Sequence, residues 1–176
     1  MKHTSFSVRT LTRLALLVAM SIVFARVLSI STGFVRFNLG SLPVVLAALI
    51  YGPAAGFAVG AVADIIGGVL AGYAINPLIT LGAGAIGLVA GLAWQRLPLH
   101  GETPRLTAAV LLGHVVGSVC INSLALRLYF GYAWSVLAIR VPNALVLAAV
   151  EILLVRVLLA NPALAALLRG DRTARR

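Results

Sequence analysis

Arg26, Arg36, Arg127 and Arg140 are the side chains of this sequence best placed to do chemistry. Each stands at the end of an apolar stretch or in a loop beside one, and none has an acid at its level to neutralise it. A guanidinium offers five N–H donors in a planar fork and takes a carboxylate or phosphate two-pronged. Asn76, Asn122 and Asn143 fall at the same level and suit the polar edge of a heteroaromatic ring. Tyr73, Tyr129, Tyr132 and Trp134 can stack on such a ring. The pattern points to an outward-facing pocket for a small anionic solute. Competing explanations stand beside it. Arginines at span ends snorkel to lipid phosphates, aromatics form interfacial belts, and asparagines cap helices or bond across them.

Two acids, Asp64 and Glu151, lie deeper within apolar runs. A charged group in lipid is expensive, so both must face protein or a cavity. A proton relay or a membrane-embedded enzyme would use Asp64 and Glu151 as a pair, but two lone acids on different helices favour structural hydrogen bonds. His114 reads as a helix-packing residue. No metal-binding H-E-x-x-H, P-loop or G-x-S-x-G is present. Cys120 is the single cysteine, which excludes an internal disulfide and a cysteine-based metal site. No catalytic residue and no cofactor is expected.

The elements that carry these groups follow from hydropathy. Of 176 residues, 61% are hydrophobic and 10% charged, and mean hydropathy is +1.08. A soluble domain of this size lacks the interior for that much apolar surface. A span needs about 20 apolar residues, so the expected fold is an all-α integral membrane protein, a bundle of six transmembrane helices. The spans are read at 11–28, 39–51, 53–72, 78–94, 106–129 and 135–160, the second being short. They form one transmembrane domain over 1–176, with a basic leader at 1–10, a basic tail at 161–176 and no internal repeat. The net charge of +10 sits at span ends, which suits anionic lipid and not nucleic acid. Six spans put both termini on one side, together with the 95–105 loop. That side gathers Lys2, Arg9, Arg13, Arg96, Arg105 and the arginines of the tail, and so is read as cytoplasmic.

The stretch from Tyr51 to Tyr73 is the packing centre. Glycines at 52, 56 and 60 repeat every four residues and let another helix approach backbone to backbone. On the first span Ala15 and Ala19 form a second small-residue pair, a flat face for another helix within the chain or on a partner.

Taken together, the sequence resembles the substrate-binding S component of an energy-coupling factor (ECF) vitamin transporter, most nearly the folate family. The segments that carry the resemblance are ARVLSI (25–30), VRFNLGSLPVVLAALIYGPAAGFAVGAVADIIGG (35–68), INSLALRLYFG (121–131) and RVPNALVLAAVEILL (140–154). It implies a six-helix prokaryotic cell-membrane protein that binds one vitamin from outside. It implies partnership with a transmembrane coupling protein and two ATPases, docked through Ala15 and Ala19. Arg26 and Arg140 match the family's arginines and suit the glutamate carboxylates of folate. Two segments depart from the folate pattern: Ile75-Asn76-Pro77-Leu78 lacks the aromatics usual before the fourth helix, and Asn122-Ser123-Leu124-Ala125 lacks a following tryptophan. The departures leave other ring systems open: thiamine, riboflavin or a queuosine-type ligand.

Overall fold

A computed structural model describes residues 8–31 and 36–162. Most of the leader and nearly all of the tail lie outside the described residues. Helix α1 is Val8–Arg26, α2 Ser41–Tyr51, α3 Pro53–Leu70 and α4 Pro77–Arg96. Helix α5 (Glu102–Gly113) runs through a π-helical segment, His114–Ile121, into α6 (Asn122–Phe130). A short α7 (Trp134–Ala138) precedes α8 (Arg140–Ala160). The expected six-helix membrane bundle is what forms. Five rods are long and apolar enough to cross a membrane, with α5–α6 and α7–α8 each acting as one rod.

The second helix is the short one. Its 11 residues span about 16 Å at 1.5 Å per residue, against a hydrocarbon core of about 30 Å. It sits in the middle of the bundle, buried from Leu42 to Leu49. Leu42, Val45, Leu46 and Leu49 pack there against Ile86, Ala90 and Trp94 of α4, Val110 of α5 and Val155 of α8. Pro43 lies in the first turn of α2, where its missing N–H breaks no helical bond. Gly52 turns the chain at φ 94°, and Pro53 opens α3. The described ends of the 29–38 connection pair with one another. They form a two-residue antiparallel pair, β1 (Ile30–Ser31) with β2 (Arg36–Phe37).

Helices in lipid gain no hydrophobic drive from meeting one another, so close packing must hold them. The glycines of α3 and α4 provide it. A Cβ on Gly87 would lie 2.4 Å from the carbonyl carbon of Gly56, and one on Gly60 would lie 2.4 Å from the carbonyl oxygen of Ala83. Both distances are impossible for real side chains, so the two backbones touch at these points. Leu14 and Ser21 are the buried residues of α1.

Candidate functional site

A cavity of about 330 Å³ opens between α1, α2, α3, α4, the π segment and α8. That volume is at the lower end for a small-molecule site. Two of the four arginines meet there. Arg26 ends α1 and Arg140 begins α8, and both line the cavity. Arg26 donates through Nη2 to the Gly67 carbonyl on α3, and its guanidinium lies 5.4 Å from the Tyr73 ring centroid, a cation–π distance. Arg140 donates through Nη2 to the Ser118 carbonyl at 3.3 Å. Neither is paired with an acid among the described residues; the buried acid Glu151 has His114 as its partner.

Asn122 and Asn143 line the same wall. Their Oδ1 atoms, the Arg140 Nε and the His114 Nδ1 are buried without a hydrogen-bond partner. Buried polar atoms are nearly always paired, so orphans gathered on one cavity mark groups shaped for a ligand. The π segment delivers part of this wall. Its backbone bonds run one residue longer than those of an α-helix, a distortion frequent at functional sites. His114, Ser118 and Asn122, spaced four apart, all face the cavity.

Two expected residues lie elsewhere. Asn76 is the N-cap of α4: its Oδ1 accepts from the Leu78 and Ile79 amides at 3.0 and 3.2 Å. The first turn of a helix has free N–H groups, and an asparagine ahead of Pro77 satisfies them. Asn76 is absent from the cavity wall. Arg127 is exposed as well. It donates to the Tyr132 carbonyl at 3.1 Å, lies 5.9 Å from the Trp134 ring and does not reach the cavity. Arg36 has a described backbone in β2, but its side chain lies outside what is described. Tyr129, Tyr132 and Trp134 are exposed, as a lipid-interface belt requires.

The two acids do not act as a pair. Asp64 lines the cavity and accepts from the Thr80 hydroxyl at 2.7 Å, the interhelical bond expected of it. Glu151 is 0% exposed. It accepts from the Ser41 hydroxyl, and its Oε2 lies 2.9 Å from His114 Nε2. Glu151 and His114, each read as a structural residue, therefore serve as partners to one another. Asn38, Ser41 and Ser118 also line the cavity and carried no such signal. No group of three metal-ligating side chains occurs among the described residues. Ala15 and Ala19 are exposed on α1, away from the cavity.

Comparison with known proteins gives four findings. Residues 5–165 match the family model described as ECF-type riboflavin transporter, S component. The folate transporter FolT of Clostridium novyi (strain NT) is 29% identical over 125 residues, which is 70% of this chain and 72% of that protein. A crystal structure of FolT bound with folic acid superposes with a TM-score of 0.71 at 24% identity, covering 86% of this chain and 93% of that one. The S component of a bacterial ECF transporter superposes at 0.66 and 19% identity, over 84% and 94% of the two chains. At these identities the two structures speak for the fold.

Proposed function

This chain belongs to the S components of ECF-type transporters, membrane subunits that bind a vitamin, work with an energy-coupling module and are not enzymes; from that premise we propose that its ligand is folate or a closely related anionic vitamin. The protein is a multi-pass component of a prokaryotic plasma membrane. The observation that carries the ligand reading is the meeting of Arg26 and Arg140 on one cavity with no acid paired to either. A desolvated guanidinium without a counter-charge is costly, and a ligand carboxylate relieves that cost with charge-assisted bonds. Folate carries carboxylates. Riboflavin is uncharged and leaves both arginines unmatched, and thiamine is a cation that they repel. The folate transporter of Clostridium novyi, similar over most of its length, supports the same reading.

In this reading Arg26 and Arg140 hold the acidic end of the vitamin at the outer mouth. Asn122 and Asn143 bond the edge of its ring. Ala15 and Ala19 form the exposed face on α1 that docks a transmembrane coupling protein, and two ATPases complete the module. Both termini face the cytoplasm, on the side rich in arginine. The bound chain reorients to release its ligand inward.

Purification from cells followed by mass spectrometry of the co-purified small molecule tests the ligand. A pterin with a glutamate tail is the expected result. A flavin, or no vitamin in any preparation, would overturn the assignment.

A further inference from the structure

We propose that His114 reads the ring of the ligand in the cavity, its Nδ1 accepting a hydrogen bond from a ring or amino N–H. The inference rests on reading the cavity as a vitamin site. His114 is 3% exposed and lines the cavity. Its partner Glu151 is 0% exposed and is not part of the cavity wall, so it stands behind the ring. Nε2 is the ring nitrogen engaged by Glu151, and Nδ1 is the one left over.

The hydrogen bonds set the chemistry of that edge. Glu151 accepts the Ser41 hydroxyl on Oε1, and its Oε2 is 2.9 Å from Nε2. A carboxylate only accepts, so Nε2 carries the proton in this contact. A carboxylate on one ring nitrogen fixes the tautomer and leaves a lone pair on the other. That Nδ1 is buried with no protein partner. It is an oriented acceptor, held from behind by a charge.

Arg140 donates to the carbonyl of Ser118, four residues along the π segment from His114, so guanidinium donors and the imidazole line one wall of the cavity. The matching solute carries both an acid and a heteroaromatic ring bearing an N–H.

The two amide replacements of histidine separate this role from a structural one. Asparagine puts its amide near the Nδ1 position, and glutamine puts its amide near Nε2. Purified wild-type protein, His114→Asn and His114→Gln are titrated calorimetrically with folic acid and, separately, with riboflavin. The expected result is His114→Asn within about threefold of wild type and His114→Gln weaker by about tenfold or more, the scale of one lost buried hydrogen bond. The opposite order is what a residue serving only to hold Glu151 would produce, and it overturns the proposal, as does equal affinity of the two variants. If either variant fails to fold, wild-type protein carrying nitrogen-labelled histidine decides. The Nδ1 resonance of His114 shifts on ligand addition if the proposal holds, and an unmoved Nδ1 refutes it. Should wild type bind riboflavin and not folic acid, the folate reading fails while His114 is still tested with riboflavin. Binding of neither overturns both.

Discussion

Between α3 and α4 the bundle is joined by glycines, whereas between the π segment and α8 it is joined by polar side chains. At the first contact Gly56 meets Gly87 and Gly60 meets the Ala83 carbonyl with no room for a Cβ. One side-chain hydrogen bond, Asp64 to Thr80, is added on the cavity side. At the second, Arg140 reaches the Ser118 carbonyl and Glu151 reaches His114. There Arg140 Nε, His114 Nδ1 and Asn143 Oδ1 are left without partners. The difference separates two tasks. Backbone contact gives a stiff frame and no chemistry. The polar contact stores hydrogen-bonding capacity that the protein does not use on itself. In the proposed reading a ligand completes the second interface, so binding is expected to strengthen the contact between the π segment and α8 while α3 and α4 stay as they are.

Four substitutions break or sharpen that contrast. The largest effect is expected from Gly87→Leu. Neither backbone can yield, so the helices must part, at a cost of about 3 kcal/mol. Thermal unfolding in detergent would show a large fall in Tm with ligand binding lost alongside. A variant that keeps its Tm would mean that α3 and α4 are not the rigid side.

Arg140→Ala comes next and acts on binding instead of stability. Loss of a charge-assisted contact of about 1.5–3 kcal/mol weakens folic acid roughly 10- to 150-fold. The ligand-free protein should change by less than about 1 kcal/mol, because one bond to the Ser118 carbonyl is all that it loses. Arg26→Ala should move in the same direction. Calorimetric titration beside a melting curve separates the two quantities, and unchanged affinity in both variants would remove the anion pocket.

The smallest effect belongs to Asn76→Ala. Its side chain caps α4, so stability should fall by about 1 kcal/mol with folic acid affinity unchanged within about twofold. A selective loss of affinity would return Asn76 to the site.

How far the sequence alone reached can be judged from these same residues. The helices were legible because lipid leaves the chain no other way to satisfy its backbone. Runs of about 20 apolar residues therefore became α1, α3, α4, the α5–α6 rod and the α7–α8 rod, with ends within a few residues of those expected. The glycine ladder from Gly52 to Gly60 was legible too, since spacing by four places small residues on one face in any helix. Arg26 and Arg140 were found from their position at the ends of spans.

What the sequence left open depends on how each helix is rotated about its axis. In water an apolar stripe opposite a polar face sets that rotation. In lipid most faces are apolar, and α8 has no such stripe to read. Whether Arg140 points inward and Arg127 outward was therefore undetermined. So was the meeting of Glu151 with His114, 37 residues apart and on different helices. The π segment, the break at Ile139 and the burial of short α2 are likewise products of packing. Composition and spacing determined that this chain is a helical membrane bundle with spare arginines at one level. Only the tertiary structure decided which of them share a cavity, because that depends on side-chain direction, which no local pattern in an apolar helix encodes.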